Sequence, residues 1–149
     1  MNILNEQIRA LLEEPDMIAC LSNLSACIMD SWEGLNWAGF YLVKNGELVL
    51  GPFQGKPACT HIPFDKGVCG LTYTSKLPQR VDDVLSFPGH IACDSASRSE
   101  LCVPVLVSGE CIMEIDLDSP MKNRFGEEEE EIMLQAARDI ASASLQHRW

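Results

Sequence analysis

Residues 101–107 (LCVPVLV) and 111–117 (CIMEIDL) are two runs of strand-forming residues on either side of Ser108-Gly109-Glu110, and their alternation leaves one workable register. Side chains alternate between the faces of a strand, so a slip of one residue sends each of them to the wrong side. An even register across a two-residue turn sets Leu101 against Asp116 and Val103 against Glu114. An odd register pairs Leu101 with Leu117, Val103 with Ile115 and Val105 with Met113. The second gathers the apolar residues on one face, and it is the one expected, with a three-residue turn. The other face then carries Glu100 beside Asp118, Cys102 beside Asp116 and Pro104 beside Glu114. Four carboxylates share that surface. Open to water, they are a solvated face; under a helix or a long loop, they form a cation-binding or acid-donating pocket.

A second hairpin stands upstream. Residues 37–43 (WAGFYLV) read as a strand, Asn45-Gly46 as its turn and residues 47–51 as the antiparallel return. Alternation puts Trp37, Gly39, Tyr41 and Val43 on one side and Ala38, Phe40 and Leu42 on the other. Both sides are apolar, which calls for helices on each face of the sheet, or for a helix layer on one and a pocket on the other. For Trp37 and Tyr41 the simplest reading is core packing. Residues 2–14 are helical in pattern until Pro15, and Asp16 caps a second helix whose stripe of Ile18, Leu21, Leu24, Ile28 and Trp32 takes Cys20 and Cys27 into the core. Gly34 stops it. A last helix follows Gly126 over residues 127–145, its glutamates a solvated first turn favoured by the helix dipole. Between the hairpins, residues 52–70 are broken repeatedly by glycine and proline. They predict a long functional loop holding a short strand at 59–62, then a short helix at 71–75 and a strand at 79–84.

The segment 90–100, HIACDSASRSE, places Cys93 among small polar residues that cannot plug the sulfur from solvent. The seven cysteines are odd in number and include no C-x-x-C pair, so they are expected as thiols in a reducing, cytoplasmic setting. Cys59 and His61 together with His90 and Cys93 would supply two sulfurs and two nitrogens for zinc, but their spacing is not that of the common fingers, and no metal is expected. Eleven basic against 22 acidic residues give a net charge of −11, which argues against nucleic acid or an anionic membrane as partner. The length of 149 residues suits one domain, and the first residues lack a secretory pattern.

Four segments resemble the free methionine-(R)-sulfoxide reductases, which are built on a GAF domain: NWAGFYLV at 36–43, LVLGPFQGKPAC at 48–59, IPFDKGVCG at 62–70 and FPGHIACDSASRSE at 87–100. The likeness runs from about residue 20 to residue 139. It implies an α+β, GAF-like fold, a six-stranded antiparallel sheet flanked by helices. It also implies a homodimer, no bound cofactor, and thioredoxin as the source of reducing equivalents. Cys59, Cys69 and Cys93 fall where the family carries its redox cysteines, Trp37 and Tyr41 match its substrate-contacting aromatics, and Glu100, Asp116 and Asp118 match its pocket carboxylates. The chain departs from the family at MEIDLD, residues 113–118, where the family reads closer to GVLDIDS. Met113 stands for a glycine, with local crowding of the sheet expected, and Glu114 for an apolar residue.

The resemblance implies that Cys93 attacks the sulfur of free methionine-(R)-sulfoxide and becomes a sulfenic acid, which a second cysteine converts to a disulfide. Adjacent carboxylates cannot all ionise, so Glu100 or Asp118 is expected to stay protonated and serve as the acid, with Asp116 or Asp118 on the substrate ammonium. Cys59, in an open run, is expected to resolve Cys93, with Cys69 idle or secondary. Cys69 sits at a helix start that would lower its pKa. The alternative is a non-catalytic GAF module that binds a small ligand or senses redox state.

Overall fold

The computed structural model describes residues 2–90 and 95–149. Helix α1 (Ile3–Leu11) opens on Asn2, whose side chain accepts from the Leu4 amide at 2.8 Å, and α2 (Met17–Ser31) opens on Asp16, which accepts from Ala19 at 2.9 Å. Each cap satisfies an amide that the first helical turn leaves without an intrahelical partner. Strands β1 (Trp37–Lys44), β2 (Glu47–Gly55) and β3 (His61–Ile62) follow, then helix α3 (Gly67–Ser75), strand β4 (Gln79–Val81), a 3₁₀ turn at Val84–Ser86, strands β5 (Ser99–Val107) and β6 (Glu110–Ser119), and helix α4 (Glu127–His147).

The six strands form one antiparallel sheet in the order β3-β2-β1-β6-β5-β4. Its β5–β6 register is the expected one: Glu100 opposite Asp118, Leu101 opposite Leu117, Cys102 opposite Asp116 and Pro104 opposite Glu114. The cause differs from the expected three-residue turn. Val107 pairs with Glu110 across the two residues Ser108 and Gly109, both at positive φ, and a bulge then restores the offset. Val105 faces Met113 while Leu106 faces Cys111, so Ile112 is the extra residue.

The apolar face (Ala38, Phe40, Leu42, Leu101, Val103, Val105, Met113, Ile115, Leu117) packs against α1, α2 and α4. Asn5 donates to the Ile132 carbonyl at 3.0 Å and so joins α1 to α4 on this layer. Met113 is buried here, on the face away from the carboxylates; the β1–β6 pairing ends at it, and the Ile112 bulge of the β5–β6 pairing adjoins it.

Strand β2 runs past the expected end at residue 51 to Gly55. It passes Pro52 through a second bulge, between the pairs Gly39–Phe53 and Tyr41–Leu50. A proline lacks the amide a regular ladder needs, and a bulge accommodates it. Gly39 is required at this crossing because a Cβ there would run into the Cβ of Phe53. Helix α3 starts four residues earlier than expected and takes Cys69 into its first turn. It approaches the preceding segment closely at Gly70, where a Cβ would lie 2.7 Å from the Phe64 carbonyl oxygen. The strand expected over 79–84 with a break at Asp82-Asp83 ends at Val81, just before that break, and Asp83 caps the 3₁₀ turn by accepting from Leu85. No helix among the described residues is long and apolar enough to cross a membrane.

Candidate active site

The second face of the sheet decides between the two readings of the carboxylates: they are covered. Glu100, Glu114, Asp116 and Asp118 are at most 9% exposed. The alternation of β5 and β6 aims them away from the three-helix layer, and α3 with the segment before it lies over them. Trp37, Tyr41, Leu48, Ile62, Val68, Cys69 and Cys102 pack as a second, smaller apolar cluster around them. Helices therefore form the full layer on one face only, with a pocket on the other.

That pocket is lined by Trp37, Tyr41, Cys69, Glu100, Asp116 and Asp118, with Lys66 and His90 among the residues at its edge. Its volume is 40 Å³, room for roughly three water molecules. Trp37 and Tyr41 are both core and wall. Their rings stack with centroids 6.0 Å apart, the Trp37 indole donates to the Lys56 carbonyl at 3.2 Å, and the Tyr41 hydroxyl donates to the Cys59 carbonyl at 2.8 Å. Burial, then the charge of Asp116, pushes the Tyr41 phenol up, so it remains a donor. The two aromatics tie the segment that carries Cys59 to the sheet, so this segment is less open than its sequence implies.

Burial first, then the charges of Asp116 and Asp118, holds Glu100 well above the ordinary carboxyl range. Asp116 is pushed up to about 6, by burial opposed by hydrogen bonds from Glu100 and Cys69. Both carboxyls therefore favour the protonated form, and the pair can hold one proton as donor while its other member ionises. Glu114, the residue that departs from the family pattern, is also pushed well up by burial, and its Oε1 accepts from the Cys102 thiol at 3.2 Å.

The cysteines separate by environment. Cys59 is disulfide-bonded, whereas Cys20, Cys27, Cys69, Cys102 and Cys111 are free thiols. Cys20 is buried and Cys27 partly buried against the helix layer, as expected of core residues. Cys93 and its neighbours 91–94 lie outside the described residues. Cys69 corrects the expectation of a helix-activated thiol: its pKa is raised, not lowered. The hydrogen bond with Cys102, then burial, then the charge of Asp116 outweigh the helix N-terminus. Of the zinc set, the Cys59 sulfur is disulfide-bonded and the His61 Nδ1 pairs with Glu47 on the exposed side of β3, while Cys93 lies outside the described residues.

Sequence reasoning passed over Cys102. Its sulfur lies 3.7 Å from that of Cys69. The available signal was the diagonal neighbour rule across β5 and β6, which brings Cys102 to Glu114 as well as to its direct partner Asp116.

The profile of the GAF domain matches residues 9–143. The chain belongs to the GAF-domain family. Within it, this GAF domain falls among the free methionine-R-sulfoxide reductases. It is 45% identical over 138 residues to the free methionine-R-sulfoxide reductase of Escherichia coli, covering 92% of this chain and 84% of that protein. Protein YtsP of Bacillus subtilis is 48% identical over 147 residues, 97% of this chain and 90% of the relative. The free methionine-R-sulfoxide reductase from Neisseria meningitidis, solved in complex with its substrate, superposes with a TM-score of 0.94 at 39% identity, covering 97% of this chain and 88% of that one.

Proposed function

We propose that this GAF domain reduces free methionine-(R)-sulfoxide to methionine. The observation that carries the reading is the burial of Glu100 and Asp116 together in one pocket walled by Trp37 and Tyr41. The names of its relatives support the same substrate.

The Cys93 sulfur attacks the sulfoxide sulfur, Glu100 delivers a proton to the sulfoxide oxygen, and the oxygen passes to Cys93 as a sulfenic acid while methionine leaves. The Cys59 thiol then displaces water from the sulfenic acid and closes a Cys59–Cys93 disulfide, which two electrons and two protons from a thioredoxin dithiol return to thiols. The oxidised state of Cys59 and the buried, protonated state of Cys69 both support Cys59 as the resolving thiol. Asp116, with Asp118 near it, takes the substrate ammonium. A peptide-bound residue has a neutral amide in that place, so the charge selects the free amino acid. Trp37 and Tyr41 wall the thioether methyl. The protein works as a cytoplasmic homodimer in this reading.

Thioredoxin-coupled NADPH oxidation with the separate R and S sulfoxides of free methionine tests the proposal. Turnover of the R form with little of the S form is expected. Binding of methionine without turnover would instead establish a ligand-sensing module.

A further inference from the structure

We propose that the floor of the pocket is also a zinc site, formed by the thiolates of Cys69 and Cys102 and the carboxylates of Glu100 and Asp116. One donor atom from each of these four residues lies within 4.8 Å of all the others. The two sulfurs are 3.7 Å apart, and Cys69 Sγ is 3.9 Å from Glu100 Oε2. A tetrahedral zinc with sulfur arms of about 2.3 Å has a sulfur–sulfur edge of about 3.8 Å. The pair is thus already spaced for shared coordination. Two thiolates with two carboxylates form a mixed set that suits zinc better than a hard cation such as magnesium or calcium.

An independent observation also points to a ligand. Asp116 Oδ1 is buried without a hydrogen-bond partner, on a side chain that lines the cavity, and Glu114 Oε2 is buried without one beside Cys102. A buried acceptor left unpaired costs roughly 1–3 kcal/mol, and a cation beside Asp116 removes that penalty. Glu114 Oε1 already accepts from the Cys102 thiol. It is placed to orient that sulfur. Zinc displaces both thiol protons and the proton held by the Glu100–Asp116 pair to solvent, and no electrons move. Coordination of this kind needs neither Cys59 nor Cys93, because Cys69 and Cys102 are free thiols while Cys59 is disulfide-bonded. Glu100 and Asp116 cannot hold zinc and substrate together, so zinc inhibits the reductase. This consequence, unlike the site itself, rests on the function proposed above.

The test is a zinc titration of the full chain, kept reduced with a phosphine, in competition with a chromophoric chelator, with cobalt(II) as the spectroscopic probe. The expected result is a dissociation constant at or below the micromolar range and visible bands of tetrahedral cobalt with thiolate-to-metal charge transfer. Cys102→Ser should weaken zinc by at least about tenfold and reduce the charge-transfer intensity while sulfoxide turnover persists. Asp116→Asn, which keeps the side-chain shape, should weaken zinc by a similar factor. Absence of binding, or an affinity unchanged in both variants, would overturn the site. A protein that binds zinc as described but reduces no sulfoxide would overturn the reductase reading alone.

Discussion

Glu114 Oε1 accepts a hydrogen bond from the Cys102 thiol at 3.2 Å, and both side chains are sealed from solvent. The contact places a carboxyl group where the family pattern has an apolar residue, and burial pushes its pKa well up.

Stability should therefore fall as pH rises. Glu100, Glu114 and Asp116 all have folded pKa values above their unfolded ones, so the native state binds more protons than the unfolded chain between the two values. The loss begins near the ordinary carboxyl range and, for Asp116, is complete above about 6. Keeping Asp116 ionised at neutral pH costs on the order of 3 kcal/mol. Calorimetric melts between weakly acidic and neutral pH should show the Tm decreasing. Glu114→Leu should raise the neutral-pH Tm by several degrees and flatten the slope, because it removes a buried acceptor left unpaired, worth roughly 1–3 kcal/mol. A Tm rising with pH would contradict the assigned directions.

Cys93→Ser should abolish turnover and leave the melting temperature of the reduced protein unchanged, since a hydroxyl is a far weaker nucleophile at neutral pH. Cys27→Ser should leave turnover intact. Steady-state rates of both variants decide the nucleophile, and substantial activity in Cys93→Ser would reject it.

Glu100→Gln should lower kcat by about 10²–10⁴-fold while KM moves little, because the amide keeps the shape but cannot supply the proton. An equal loss in kcat and affinity would place Glu100 on the substrate ammonium instead.

One turnover without reductant should leave a dominant Cys59–Cys93 disulfide in a non-reducing peptide map. The 40 Å³ pocket belongs to a form in which Cys59 is already oxidised, and it has to widen for methionine sulfoxide to enter. A dominant Cys69–Cys93 link would make α3 the moving element.

Gly70→Ala should destabilise by about 1–3 kcal/mol, read as a loss of several degrees in Tm. The added Cβ meets the Phe64 carbonyl oxygen, which is backbone and cannot rotate away. The same substitution shifts Cys69, its neighbour on α3, so a change in zinc affinity should accompany the lost stability.

What was legible in the sequence follows the range of the forces involved. The β5–β6 register was readable because Leu101, Val103 and Val105 must share a face with Leu117, Ile115 and Met113, and a period of two allows one solution. The stop at Pro15 and the cap at Asp16 were local enough to place the end of α1 and the start of α2 within a few residues. The continuation of β2 through Pro52 was not readable, because a bulge that tolerates proline depends on the opposing Gly39. Nor was the contact of Cys69 with Cys102. It joins a helix to a strand 33 residues away, and no local pattern reports how deeply α3 settles onto the sheet. The electrostatics of Cys69 was misjudged for the same reason, since the helix start is local and the carboxylates opposing it are not.

The bulge at Ile112 gives the β5–β6 hairpin an unusual freedom in length. A two-residue turn with a bulge and a three-residue turn without one deliver the same strand alignment. Inserting a residue beside Gly109 while deleting Ile112 would therefore leave Glu100, Asp116 and Asp118 where they are. The tip of this hairpin can be shortened, extended or grafted as a module, mechanically decoupled from the acidic floor several residues below it.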